Sequence, residues 1–301
     1  MKIALIRFRP KDTNSRDQSF QDYIRKLQNR EETLRRQIGQ LVLPHEADVI
    51  LNVSGDGPMT ETVKEYAHLN KPFYGDNFGT YGFLLNDHTP EENIVEAIER
   101  AVWIEFPMLD VTIEYLDGTT EKTLAFNDVW TKTLSTQTAK HRVFVNGKNI
   151  VPQVFPDRET FGLGDAVIVC TAGGSTAYNR SAGGKVFSPD KHLIGITFAS
   201  PSPIKIPALQ VSDKSEIVVE LIEDEKRNYL VVADNVAFER VKQVVIRKSD
   251  ITAKIGFKPG FTHQEKIKKM LKYYQKLNGN KRDKPRKTVR GKRDKQDEQD
   301  K

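Results

Sequence analysis

Asp-Val-Ile-Leu-Asn-Val-Ser-Gly-Asp-Gly occupies residues 48–57. A short apolar run that ends in a glycine-framed turn reads as a buried strand. Residues 58–69 follow as a helix, with Pro58 near its first turn, where the fixed φ of proline is tolerated. A strand that turns straight into a helix is the unit from which parallel sheets are built. Upstream, Ile-Ala-Leu-Ile within residues 2–8 predicts an opening strand, and residues 11–19 a polar loop. Phe20, Tyr23, Ile24, Leu27, Leu34, Ile38 and Leu41 then fall on one helical face, with Ser19 and Asp22 spaced as a capping box. Downstream, residues 72–74 predict a short strand and residues 90–103 a helix with Ile94, Ala97, Ile98 and Ala101 on one face.

Near Pro107 the pattern changes. Residues 109–116 alternate apolar and polar, and Asp117-Gly118 is a hairpin signal. Short strands are predicted over residues 123–130, 142–145, 166–171, 192–199, 216–221, 229–233 and 241–247, with turn residues between them. Residues 262–277 form a last helix: Thr262 and Glu265 match a capping box, and Ile267, Met270, Leu271, Tyr274 and Leu277 share a face. The fold class expected is therefore α/β. A Rossmann-like N-terminal α/β domain spans residues 1–105, and an all-β domain of stacked sheets spans 106–260. A C-terminal helix, 261–278, packs back on the first domain, and residues 279–301 form a disordered basic tail.

The chain has 301 residues, room for two domains. Its 38% hydrophobic content and mean hydropathy of −0.55 predict a soluble globular protein. No run approaches the ~18 apolar residues of a membrane helix. The apolar stretch before Arg7 is shorter than the ~7–15 residues of a signal-peptide core. A cytoplasmic protein without membrane association is expected. Cys170 is the single cysteine, and the six histidines lack His-x-x-x-His spacing, so no disulfide and no protein-ligated metal site is predicted. Residues 281–301 carry ten Lys/Arg against five Asp/Glu, and the other 280 carry 37 against 36. The folded body is close to neutral, which argues against a specific nucleic-acid binder.

Residues 170–184 read Cys-Thr-Ala-Gly-Gly-Ser-Thr-Ala-Tyr-Asn-Arg-Ser-Ala-Gly-Gly. Such a density of glycine and small hydroxyls after a strand suggests backbone N–H groups approaching a polyanion, with a nucleotide as the first expectation. Ser-Gly-Asp-Gly at 54–57 lies where a strand ends and a helix begins, the usual ligand side of an open α/β sheet. An ordinary surface turn is the competing reading. The chain lacks Gly-x-x-x-x-Gly-Lys-Ser/Thr, and no Gly-x-Gly-x-x-Gly follows its first strand. Gly75, Gly79 and Gly82 alternate with Phe78, Tyr81 and Phe83 in a loop that either walls a pocket or covers the sheet. Asn127 and Asp128 sit within an apolar strand and should face opposite ways, toward a cleft or into a buried hydrogen-bonded pair.

Together these segments resemble the NAD kinase family over residues 1–277. The family's Gly-Gly-Asp-Gly turn corresponds to residues 54–57, its Asn-x-Gly-x-Leu-Gly-Phe-Leu loop to 77–84, and its Asn-Glu pair to Asn127-Asp128. Its Thr-Gly-Ser-Thr-Ala-Tyr and Ser-Ala-Gly-Gly segments correspond to 174–178 and 181–184. The resemblance implies transfer of the γ-phosphoryl of ATP, or of polyphosphate, to the 2′-hydroxyl of the adenosine ribose of NAD, giving NADP. Asp56 would be the general base: a carboxylate is a weak base but is ionised at neutral pH. Gly55 and Gly57 would cradle phosphates. Asn127 and Asp128 would contact NAD, Thr176, Ala177, Tyr178 and Ser181 would line its adenosine side, and Phe83 would wall the site. Asp165 would meet the nicotinamide end. A divalent cation, Mg²⁺, would accompany ATP, and a homo-oligomer is implied.

The chain departs from the family at several positions. Ser54 replaces the first glycine of the turn and Pro58 a threonine. Asp128 replaces a glutamate, Ala172 a proline, and Gly173-Gly174 a Thr-Gly. Val236 stands near where a glutamine is usual. These departures leave two further readings: a catalytically degenerate NAD(P)-binding regulatory protein, and a lipid kinase of the same superfamily. Residues 174–178 speak against the latter.

Overall fold

The computed structural model describes residues 1–7, 17–151, 160–202, 205–222 and 227–282, the last nine by backbone alone. The chain opens with strand β1 (Ile3–Arg7), helix α1 (Gln18–Ile38), strand β2 (Val49–Ser54), helix α2 (Asp56–Tyr66) and strand β3 (Phe73–Asn77). β1, β2 and β3 lie side by side and parallel, with Leu5 opposite Leu51 and Ile50 opposite Phe73. Every β2 side chain is buried, because helices cover both of its faces. Val49, Leu51 and Val53 pack with Ile24, Leu27 and Leu34 of α1, while Ile50 packs with Met59 and Val63 of α2.

Helix boundaries differ from the sequence expectation. α1 is capped by Asp17, whose carboxylate accepts the Ser19 N–H at 2.9 Å, rather than by Ser19 with Asp22. Leu41 leaves the helix and bridges to Ile3. The helix expected over 90–103 is only α3 (Ile94–Glu99), because the chain passes into a long strand at Val102. Before it, β4 (Asn86–Asp87) pairs with β3.

That long strand is β5 (Val102–Tyr115). It is followed by β6 (Thr120–Ala125), β7 (Asp128–Thr133), β8 (Ala139–Val145), β9 (Lys148–Asn149), β10 (Gly162–Gly164) and β11 (Ala166–Cys170). A short helix α4 (Tyr178–Ser181) precedes β12 (Leu193–Ala199), β13 (Leu209–Ser212), β14 (Ile217–Leu221), β15 (Tyr229–Ala233), β16 (Val236–Glu239) and β17 (Val241–Phe257). Helix α5 (His263–Arg282) closes the described chain. Residues 283–301 of the expected tail, and 11–16 of the expected loop, lie outside the described residues.

Among the described residues the strands form two sheets. One has eleven strands in the order β1-β2-β3-β17-β14-β8-β10, with β5 against β17 and β6 against β5. The other has six, β13-β12-β11-β7-β15-β16. β17 is the seam. One edge pairs antiparallel with β5 along both strands' length; the other pairs first with β14 and then, in parallel, with β3. The stacked inner faces bury Val111, Ile113, Val143, Val169, Ile196, Val219, Val231 and Val244. α5 returns to the N-terminal domain as expected, with Lys266 Nζ donating to Gly82 O at 2.8 Å; His263 also meets the Phe106 ring of β5 edge-on at 5.1 Å, and Thr262 and Glu265 make the expected capping box.

Candidate active site

β2 ends at Ser54, Gly55 caps α2, and Asp56 is its first residue. Unpaired N–H groups and the helix dipole favour an anionic side chain there. The Asp56 carboxylate is also held from outside. Its Oδ2 accepts the Phe83 N–H at 3.0 Å and its Oδ1 accepts the Leu84 N–H at 2.9 Å. Each oxygen keeps a lone pair for a further partner. The loop that supplies these donors needs its glycines. Gly82 has φ +65, and a Cβ there would strike the Asn77 side chain, whose Oδ1 accepts the Gly79 N–H at 2.8 Å.

Asn127 and Asp128 do not lie within one strand. β6 ends at Ala125 in the first sheet and β7 starts at Asp128 in the second, so Phe126 and Asn127 form the crossing. Asp234, at φ 55, holds that crossing: its carboxylate accepts the N–H groups of Phe126 (2.7 Å), Asn127 (2.8 Å) and Asp128 (3.2 Å). Asn127 donates to Thr60 Oγ1 at 3.1 Å, and its Oδ1 is buried without a partner. The Asp128 side chain is buried, and its carboxyl is pushed up to about 7, by burial first and then by the Asp234 charge. Burial likewise raises Asp234, against those three N–H bonds and the nearby Lys64.

After β11, residues 171–184 turn back over this crossing. The small residues here serve packing. A Cβ on Gly174 would stand 2.1 Å from Asn127 O, and one on Gly184 2.0 Å from Asn179 Oδ1. Ser175 and Asn179 are fully buried; Ser175 Oγ lies 2.7 Å from Ala172 O, and Asn179 Nδ2 donates to Lys185 O at 3.0 Å. Close backbone approach is thus met at Gly174 and Gly184 by protein atoms, while Gly173 borders a cavity that Asp56 also lines. Cys170 is buried and its thiol is pushed far up by burial, so it is an inert core residue.

A cavity of about 460 Å³ lies between these parts, lined by Asp56, Tyr81, Phe83, Leu84, Asn127, Gly173, Thr176, Ala177, Arg180 and Ser181. It brings together six of the residues singled out from sequence: Asp56, Phe83, Asn127, Thr176, Ala177 and Ser181. Gly55, Gly57, Asp128, Asp165 and Tyr178 do not line it. Gly55 serves the contact between turn and loop, Gly57 is open with nothing within 4 Å of where a Cβ would stand, and Asp128 is buried behind Asn127. Asp165 is exposed between β10 and β11. Tyr178 packs edge-on against Trp130 at 5.5 Å, and burial, followed by the charges of Asp165 and Asp128, raises its phenol. Sequence reasoning misses Arg180, although it lies one helical turn beyond Thr176 and Ala177. It also misses Asp234, which stands two residues before the departing Val236.

The family model of the ATP-NAD kinase C-terminal domain matches residues 112–255. An NAD kinase of Rickettsia bellii is 31% identical over 224 residues, 74% of this chain and 84% of that protein. One of Mesorhizobium japonicum is 32% identical over 238 residues, 78% of this chain and 89% of that protein. Two solved structures share the fold. Yeast NADH kinase complexed with NADH superposes with a TM-score of 0.66 at 18% identity, covering 95% of this chain and 89% of that one. An NAD kinase from Archaeoglobus fulgidus in complex with ATP gives 0.64 at 20% identity, covering 95% and 100%.

Proposed function

The chain belongs to the NAD kinase family, and from that premise we propose that it transfers the γ-phosphoryl of ATP to the 2′-hydroxyl of the adenosine ribose of NAD, with Asp56 as general base. The observation that carries this is the Asp56 carboxylate in the cavity wall, oriented by two consecutive backbone N–H groups and still able to accept a hydroxyl proton. Relatives named as NAD kinases favour a working kinase over a degenerate binder.

In phosphoryl transfer the protein mostly positions the reactants and balances charge. Asp56 accepts the 2′-OH proton as the oxygen attacks the γ-phosphorus in line with the departing ADP oxygen. Asn127, with its unpartnered Oδ1, binds a donor group of NAD, and Thr176, Ala177 and Ser181 line the ribose side. Arg180 supplies positive charge beside the phosphates. Asp128 supports the Asn127 segment, Tyr178 backs the α4 turn, and Asp165 faces the nicotinamide end. Among the described residues no cluster of three or more His, Cys, Asp or Glu is placed to hold a metal ion. One cavity carboxylate, Asp56, suits a magnesium ion that arrives on the triphosphate and needs few protein ligands. Bound there with the nucleotide, such an ion would neutralise charge on the phosphates.

The acceptor belongs to residues 106–260 and the catalytic turn to residues 1–105, in a cytoplasmic homo-oligomer. Among the described residues no helix is long and apolar enough to cross a membrane. Purified full-length protein supplied with NAD, ATP and Mg²⁺ is expected to form NADP and ADP in equal amounts, with polyphosphate assayed in parallel as donor. Absence of NADP with either donor contradicts the assignment.

A further inference from the structure

The last helix carries a lysine that composition and periodicity leave unremarkable, and its contacts lead back to Asp56. Lys266, in the first turns of α5, donates from Nζ to Gly82 O at 2.8 Å and to Leu85 O. The N–H groups between those carbonyls, on Phe83 and Leu84, are the two that Asp56 accepts. One peptide group, Gly82–Phe83, therefore has its carbonyl on a cation and its N–H on a carboxylate. In a trans peptide these two bonds point in opposite directions, so the group bridges the charges in line. Hydrogen bonds arranged in series polarise one another and strengthen.

We propose that Lys266 is a positioning residue for phosphoryl transfer: it clamps the Gly82–Leu85 segment so that the Phe83 and Leu84 N–H groups keep Asp56 aimed into the cavity. The assignment rests on Asp56 being the general base. It gives α5 a catalytic role beyond burying Ile267. The helix start beside it is fixed by Glu265, whose carboxylate accepts the Thr262 N–H at 2.7 Å.

The charge on Lys266 matters to this role. Burial pushes its ammonium down to about 8; Asp56 on α2 and Asp87 on β4 oppose that shift, and Lys258 after β17 adds to it. Burial, and after it the Lys266 charge, depresses His263 on the same helix. Arg180, Glu265 and Lys269 line the cavity of about 550 Å³ that Lys266 also borders. The charged clamp is complete well below pH ~8 and weakens as Lys266 loses its proton through that value.

The test compares full-length wild type with Lys266→Met and Lys266→Arg. Expected for Lys266→Met is a tenfold or larger loss of kcat, with KM for NAD and for ATP within threefold of wild type. Lys266→Arg, which can still donate to both carbonyls, recovers part of the loss. In wild type kcat declines as pH rises through about 8, and in Lys266→Met that alkaline limb is absent. Independently of turnover, amide hydrogen exchange at Phe83 and Leu84 at constant pH is expected to speed up at least tenfold in Lys266→Met. Lys266→Gln, retaining one donor group, serves the same comparison if the Met variant does not fold. Unchanged exchange at both amides overturns the clamp whether or not the protein makes NADP. Accelerated exchange with unchanged kcat overturns its role in catalysis.

Discussion

A Cβ placed on Gly79 would stand 2.9 Å from Gly55 Cα, so the turn that carries Asp56 and the loop that holds its carboxylate touch backbone to backbone. No side chain fits between them. Gly79→Ala is expected to push the loop outward, lengthen the Phe83 and Leu84 hydrogen bonds to Asp56, and lower kcat by about tenfold to a hundredfold, as misplacement by ~1 Å does. Gly57→Ala has open space around it, and is expected to leave stability unchanged or raise it by about 0.4–1 kcal/mol. Melting curves and steady-state kinetics on both variants check this; equal behaviour of the two contradicts it.

Asp128 and Asp234 make stability depend on pH. The folded protein holds the Asp128 proton up to about pH 7, against 3.8 for the free side chain. A raised folded pKa gives stability that is fully present below the unfolded value and is lost as pH rises through the folded one. At ~1.4 kcal/mol per unit the loss is a few kcal/mol at most. Asp128→Asn cannot ionise, so its advantage in Tm over wild type is expected to widen from pH 5 to pH 8. Thermal scans across that range read it, and a constant difference contradicts it.

Arg30 lies inside the apolar stripe of α1 and pairs with Asp76 at 2.7 Å, both side chains almost fully buried; His88 Nδ1 lies 3.3 Å from the same carboxylate. Breaking such a pair strands a buried charge, at a cost of about 3–5 kcal/mol. Arg30→Met is expected to lose that much in chemical denaturation, and Arg30→Met with Asp76→Asn to recover part of it. Additive losses in the double variant contradict the pairing.

Asn127 Oδ1 is buried without a partner, while Nδ2 is fixed on Thr60. A ligand donor that satisfies the oxygen removes a penalty of about 1–3 kcal/mol. Asn127→Leu is expected to raise the Kd for NAD at least tenfold with a Tm close to wild type, measured by calorimetry. Unaltered affinity contradicts the contact.

Much of this architecture is legible in the chain because it rests on local patterns. The apolar run ending in Ser-Gly-Asp-Gly marks β2, its turn and α2, and the alternation after Pro107 marks stacked sheets. The residues that escape notice do their work through distant partners. Arg30 interrupts the apolar stripe of α1 and Lys266 looks like solvated surface; only the returning β3 and the 78–85 loop give each its counterpart. Asn127-Asp128 looks like the middle of one strand, and its true place, at the passage between two sheets, is set by Asp234 more than a hundred residues later. Gly174 and Gly184 look like ligand-facing glycines, yet Gly174 packs on Asn127 and Gly184 on Asn179, while Gly173 packs on Phe126 and also borders the cavity. Sequence shows that the backbone must come close to something there, but not to what.

The proposed phosphoryl transfer depends most directly on Asp56. Asp56→Asn keeps the size of the side chain and the possibility of accepting a backbone N–H, but removes the basic carboxylate. In the NADP-formation assay with ATP and Mg²⁺, it is expected to lower kcat by about a hundredfold or more, in the range general-base catalysis supplies, while NAD still binds. An Asp56→Asn protein that turns over at the wild-type rate contradicts the central claim.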